Sequence, residues 1–423
     1  MCGGFFVGPM RTIYSPAIAD LIVAATMFVC SIRLADAGRS RAEVAMVFAT
    51  WAAVYIASNL ILSRFVTSRN AAAMLIVANL LFTATAGTFV LIEGIWATYA
   101  IMAVLAVATA LFFLPFQVFM KAVEPDQHRG VLRSAAIYTF SWSLGFASGP
   151  FIAGFIYQWL GWQWCFAFTG LLSLLTACGV QLLKHYAKYH YSEVGVLGQL
   201  TPSQSSCKVE KVNDHAMPDL AWLGWVVAGV GGLGIFSFLA LLPSVGVDFA
   251  IPKSQIGSII ASLYVVQALV GLSFLHSRTW MFRPRPVMGF AVFGVLGLTG
   301  FGVSLLPAID GIEVLNMSLQ AFGLYASVVC YGVFSGSFFF GLVFYSLVHP
   351  HRSAMYVAVN ETVVGICGVV GPVMAGVLAD RFGFAAFPVI LIVMIVGVTM
   401  LQFIVLKRLA GKLAEQQPGV VYL

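Results

Sequence analysis

One short pattern occurs twice, and both copies lie inside long apolar stretches. Gly149-Pro150-Phe151-Ile152-Ala153-Gly154, followed by Gly161, returns as Gly371-Pro372-Val373-Met374-Ala375-Gly376, followed by Gly383. Five residues match at one constant offset of 222 in a chain of 423. A half-chain repeated in the other half restricts the fold to two similar units packed about a pseudo-two-fold axis. Hydrophobic residues make up 61% of the chain and charged residues 9%, so an aqueous fold cannot hide the apolar surface and the lipid bilayer is the expected solvent. In hydrocarbon only helices and closed barrels satisfy the backbone. The apolar runs are about 20 residues long, as a spanning helix requires, whereas barrel strands would alternate over about ten residues.

Polar breaks divide the apolar sequence into twelve predicted spans: 13–34, 42–63, 70–92, 95–120, 132–158, 161–183, 219–246, 255–277, 286–307, 318–346, 354–379 and 384–406. The fold class is therefore all-α and polytopic, with twelve transmembrane helices in two pseudo-symmetric six-helix halves. The segment 184–218 is the only long polar stretch between spans and separates an N-terminal half, 1–183, from a C-terminal half, 219–423. With the amino terminus in the cytoplasm, 17 of the 22 Lys and Arg residues fall on the cytoplasmic side. The exceptions are Arg33, Arg39, Arg41, Lys253 and Arg381. The positive-inside rule thus places both termini and the central linker in the cytoplasm, with the cell membrane as the expected location. The first apolar run lacks a small-residue cleavage site and is read as an uncleaved span.

Two homologous six-span halves, a basic central linker and the Gly-Pro repeat on spans 5 and 11 together resemble the major facilitator superfamily. The pattern Gly145-x3-Gly149-Pro150-x2-Ala153-Gly154 is similar to the span 5 motif described for the antiporter and efflux branch, with Ala136 and Ala153 standing where that motif often has glycine. The loop before span 5, with Pro125, Arg129 and Gly130, resembles the family's Pro-x3-Arg-Gly signature. Between spans 2 and 3 the family's Gly and Asp are replaced by Asn59 and Ser63, while the arginine is kept at Arg64. No arginine occurs in span 4, where many proton-coupled exporters carry one. Apart from any family, small residues spaced by four let neighbouring backbones approach closely. Gly145, Gly149 and Gly154 on span 5, with Gly371 and Gly376 on span 11, are the expected packing positions. Pro150 and Pro372 each remove a backbone donor and are expected to mark hinges.

Nearly all acids fall in loops; Asp20 in span 1 and Glu361 in span 11 do not. A carboxyl at bilayer depth costs a few kcal/mol or more, so it is usually paired or functional. The resemblance implies that span 1 lines a central cavity, which makes Asp20 the candidate for ion coupling or substrate binding. It also places span 11 beside the cytoplasmic end of span 2, so Glu361 and Arg64 are expected to pair as a cytoplasmic gate. No base is predicted deep in a span, which favours a neutral, cationic or amphipathic solute over a phosphate or dicarboxylate. Tyr99, Gln117, Trp222, Trp225, Tyr331, Ser335, Ser337 and Tyr345 are candidates for solute contact, against the commoner role of such residues as packing or interfacial anchors.

Catalytic motifs are missing: there is no His-Glu-x-x-His, Gly-x-Ser-x-Gly or Gly-x4-Gly-Lys-Ser/Thr pattern, and the seven cysteines lack metal-ligand spacing. No cofactor, metal or nucleic-acid partner is expected. The resemblance implies a monomeric secondary transporter whose partners are the bilayer, a small-molecule substrate and a proton or other cation, with efflux favoured by the span 5 motif. Uptake of a sugar or other metabolite, or a non-transporting membrane sensor, are the alternatives.

Overall fold

The computed structural model describes residues 7–67, 69–92, 94–123, 131–193, 219–274, 283–306, 313–314, 317–347 and 353–416. Among them the chain forms twelve long helices: α1 (Val7–Asp36), α2 (Arg41–Leu62), α3 (Ala71–Leu91), α4 (Ile95–Val123), α5 (Val131–Leu160), α6 (Trp162–Glu193), α7 (Ala221–Asp248), α8 (Lys253–Ser273), α9 (Pro284–Ser304), α10 (Leu319–Leu347), α11 (Ser353–Phe382) and α12 (Ala386–Gln416). Eleven are long and apolar enough to cross a membrane. The twelfth, α5, has the length but is diluted by Ser, Gly, Thr and Pro over its described face. The only sheet among the described residues is a two-residue ladder, β1 (Glu313–Val314) with β2 (Met317–Ser318), in the α9–α10 connection. With an even number of helices the start of α1 and the end of α12 lie at one end of the bundle, called proximal here, and the α1–α2 and α7–α8 turns lie at the distal end.

Helix α6 continues to Glu193, so the first ten residues expected in the central linker are helical. Lys184–Glu193 contains no Gly or Pro, and nothing in that sequence ends a helix where its apolar stretch does. Elsewhere the predicted spans and the helices agree to within a few residues, apart from extra turns at the proximal ends of α1 and α12.

The packing is symmetric. Helix α1 lies on α5 and α7 on α11; α2 lies on α4 and α8 on α10; α3 lies on α6 and α9 on α12. Between the halves the dominant contacts are α5 with α8 and α11 with α2, which are also related pairs. Glycine sets both. A Cβ at Gly149 would sit 2.6 Å from the Leu21 carbonyl on α1, and one at Gly371 would sit 2.7 Å from the Leu233 carbonyl on α7. Farther along, a Cβ at Gly154 would meet the Lys253 carbonyl on α8 at 2.7 Å, and one at Gly376 would meet the Arg41 carbonyl on α2 at 2.9 Å. Each motif helix thus buries one glycine against its own half and another against the opposite half. Both helices run unbroken through Pro150 and Pro372.

Gly257 on α8 faces the Pro150 carbonyl, leaving no room for a side chain. Gly257→Val is expected to lower stability by about 1–3 kcal/mol through overpacking. The control Gly302→Ala, where a Cβ meets nothing within 4 Å, is expected to be neutral or stabilising by about 0.5–1 kcal/mol. Thermal melting of both variants in detergent checks the contrast.

Candidate functional site

At the distal end the two halves are joined by a duplicated polar cluster. Asp36 ends α1 and Arg41 begins α2; 212 residues later Asp248 ends α7 and Lys253 begins α8. The pairs form crosswise. Arg41 Nη2 lies 2.8 Å from Asp248 Oδ2, and Lys253 Nζ lies 3.1 Å from Asp36 Oδ2. Each cation also covers an aromatic ring of its surroundings: Arg41 lies 4.2 Å from the Phe384 ring centre and Lys253 lies 5.0 Å from that of Tyr157.

The first backbone N–H groups of α2 and α8 have no intrahelical acceptor, and residues of the other half supply one. Asp380 on α11 accepts from Arg41 N–H at 3.0 Å and from Ala42 N–H at 2.9 Å. Ser40 Oγ completes that turn by accepting from Glu43 N–H at 3.2 Å. On the related side, Gln158 Oε1 on α5 accepts from Lys253 N–H at 2.9 Å. The distal end is therefore closed across the interface by two latches of the same design.

Nearer the middle, Asp20 on α1 lies against α5. A Cβ at Gly145 would sit 2.6 Å from the Asp20 Cβ, so the first glycine of the motif leaves the space this acid occupies. Asp20 is 5% exposed, and its Oδ2 has no hydrogen-bond partner. Glu361 on α11 is close enough for the two charges to interact. The Tyr55 hydroxyl on α2 is within hydrogen-bonding reach of Glu361. Tyr138 on α5 senses both acids, and Tyr264 on α8 senses Asp20. Tyr264 stands edge-on to Trp142, with ring centres 6.1 Å apart, and leans on Phe146 at 5.3 Å. Distal to Asp20, Ala24, Phe28, Phe48, Phe146, Pro150, Leu239 and Ile260 enclose a void of about 10 Å3 with no polar side chain. A second bridge between the halves runs through Gln267 on α8, which donates to Ser143 on α5 at 2.8 Å and accepts from Ser335 on α10 at 2.8 Å.

The expected site residues divide. Asp20 and Glu361 come together. Arg64 does not join them: it is exposed after α2, and none of the three ion pairs among the described residues links it to Glu361. Tyr331 is wholly buried in the C-terminal half and donates to Gly231 O at 2.7 Å, so it serves packing. Ser337 and Tyr345 line a separate small pocket between α7, α9, α10 and α12. Trp225 donates to Asn360 at 2.8 Å and Tyr99 to the Glu43 carbonyl at 2.7 Å, each within its own half. Trp222 is exposed. Ser335 donates to Gln267 within its own half, and Gln267 carries the contact on to Ser143 of the other half. Pro125, Arg129, Gly130 and the side chain of Gln117 lie outside the described residues. Sequence reasoning missed Tyr55 on α2, Tyr138 and Trp142 on α5, and Tyr264 on α8. It also missed the latches, although an acid followed five residues later by a base occurs at matching places in both halves.

Twelve helices in two pseudo-symmetric halves, meeting at an interface with buried acids, define a polytopic membrane protein of transporter architecture. The sequence profile of the Major Facilitator Superfamily matches residues 1–347. The chain belongs to that superfamily and is one of its membrane transporters. A comparison with curated proteins finds no match.

Replacing Asp380 with Ala removes both acceptors at the start of α2 and is expected to cost about 1 kcal/mol, in the range measured for lost N-terminal caps. Gln158→Ala, which removes one neutral acceptor, is expected to cost less. Melting of the two variants side by side orders them.

Proposed function

We propose that the protein is a secondary active transporter moving a small neutral, cationic or amphipathic organic solute by alternating access, driven by a proton or other cation gradient. The observation that carries this reading is Asp20, a sealed carboxyl with an unpartnered oxygen at the junction of the halves. A group so costly at bilayer depth is kept where an ion or solute meets it. The distribution of Lys and Arg makes the distal end the outer face, with both termini and the linker within 184–218 in the cytoplasm. The latched conformation is then closed to the outside. The α5 motif favours export.

Opening the distal end breaks both latches and brings the proximal ends of α2 and α11 together. In that state Glu361 exchanges Tyr55 for Arg64, which makes the pair a proximal gate. The protein works as a monomer, because the interface between its halves already holds the moving parts.

Alternating access is testable without knowing the solute. Spin labels at Ala37 and Ala385, on a background with native cysteines replaced, report the width of the distal end. The expected result is a short distance in wild type and a second, longer population in Arg41→Ala/Lys253→Ala. One unchanging distance in both proteins would contradict the proposal. For the proximal gate, on the Arg41→Ala/Lys253→Ala background, adding Glu361→Gln is expected to deplete the longer population and exchanging Arg64 and Glu361 to keep it; no recovery in the exchanged variant removes Arg64 from the gate.

A further inference from the structure

We propose that the cleft between α9 and α12, at their proximal ends, binds an anionic phospholipid of the adjacent leaflet, with its phosphate on Arg283, Arg285, Lys407 and Arg408 and its ester region against Gln402. The inference needs the membrane placement of these two helices and not the transport reading.

The sequence of α12 points to the place. Between Ala386 and Leu406 it carries two polar side chains, Thr399 and Gln402. Three residues apart, they share one helix face, and both line the cavity of about 30 Å3 that α12 shares with α7, α9 and α10. Ser337, on the α10 wall, donates to the Phe334 carbonyl at 2.7 Å and so is satisfied within its own helix. Gln402 is 8% exposed and makes no hydrogen bond among the described residues. An amide without a partner at this depth is costly, and a ligand carrying oxygen atoms relieves it.

The charges around the cleft give the class of that ligand. Arg283 caps the start of α9, and Arg285 stands two residues before Val287, which lines the same cavity. Lys407 and Arg408 follow Gln402 by five and six residues on α12, and α9 packs on α12. All four bases are exposed, and none takes part in an ion pair among the described residues. Five residues of helix rise about 7.5 Å, close to the depth of one headgroup layer, about 5–7.5 Å. A phosphate at Lys407 therefore leaves the glycerol esters level with Gln402, whose amide N–H groups donate to an ester carbonyl. The cavity has room for about two water-sized groups, which suits an ester and not a whole chain. Met288 and Val292 on α9, with Met400 and Ile404 on α12, are exposed and give the acyl chains apolar flanks. The other helices packed on this pair, α7, α10 and α11, belong to the same half, so the lipid is held by one half and not by the interface.

The test is native mass spectrometry of the full-length protein with dioleoyl phosphatidylglycerol and dioleoyl phosphatidylcholine, which differ in headgroup alone. Phosphatidylglycerol is expected to bind at least about tenfold more tightly, each base near an anionic headgroup being worth about fivefold. Arg283→Gln/Arg285→Gln/Lys407→Gln/Arg408→Gln is expected to abolish that preference. Neutralising Arg69, Lys121, Lys184 and Lys188 in the same way is expected to keep it. Gln402→Leu, which alters no charge, is expected to weaken phosphatidylglycerol about fivefold, the loss of one hydrogen bond. Equal binding of the two lipids, equal loss in both fourfold variants, undiminished binding to Gln402→Leu, or displacement by glycerol 3-phosphate each overturns the proposal. A measurement on wild type needs no variant. Phosphatidylglycerol with a diazirine beside the acyl ester, photolysed with the protein in nanodiscs, is expected to mark the peptides 284–291 and 399–406; labelling spread evenly over the apolar helices also overturns it.

Discussion

Backbone-to-backbone packing through glycine is the constraint on which the rest of this structure depends. In lipid there is no hydrophobic drive to press helices together, so close approach and the dispersion contacts it allows must do so. Gly149 brings α5 onto α1 and Gly154 brings it onto α8; Gly371 and Gly376 do the same for α11 with α7 and α2. A side chain at any of the four would lift a helix off its neighbour and separate the polar groups that these contacts align. Asp20, held against Gly145 in the same groove, inherits its position from that packing.

The latches at the distal end work at a different scale of energy. Their carboxylates and cations are 30–42% exposed, and ion pairs of that kind contribute roughly 0–1 kcal/mol each. When the halves part, water takes over the N–H groups that Asp380 and Gln158 accept from, which keeps the loss small. Tight packing along α5–α8 and α2–α11 and a weakly bonded end together describe an interface whose closed form is specified geometrically without being strongly locked. A ligand shifts such an equilibrium by no more than its difference in affinity for the two states, and a few kcal/mol suffices only if the lock is of this order.

Much of this was legible in the sequence. Twelve apolar runs, the offset of 222 and the distribution of basic residues gave the helices and the equivalence of α5 and α11 before any coordinates. Asp20 and Glu361 stood out because charge in an apolar run has a price that composition alone makes visible. Tyr55, Tyr138 and Tyr264 did not, because a single tyrosine in a helix looks the same whether it faces lipid, a neighbour or a cavity, and only tertiary packing gathers three helices around one acid. Tyr331 stayed open between solute contact and packing for a related reason: α10 is apolar on most of its faces, so periodicity does not say which side turns inward. Helix α6 overran its expected end because bilayer thickness limits an apolar run but not the hydrogen bonding of the helix beyond it. The acid-base pairs Asp36/Arg41 and Asp248/Lys253 were readable as a second repeat, at an offset of 212, but looked like ordinary loop charges until the halves were seen to exchange partners.

That exchange has a mechanical consequence. Each latch joins the first helix pair of one half to that of the other, and the two stand on opposite sides of the pseudo-two-fold axis. A single attachment on the axis would leave the distal end free to swivel. Two attachments off the axis fix the twist of one half against the other and leave bending about the line between them as the motion that strains them least. If one latch breaks first, the survivor becomes a pivot, and the end opens as an asymmetric peel even though the architecture is symmetric.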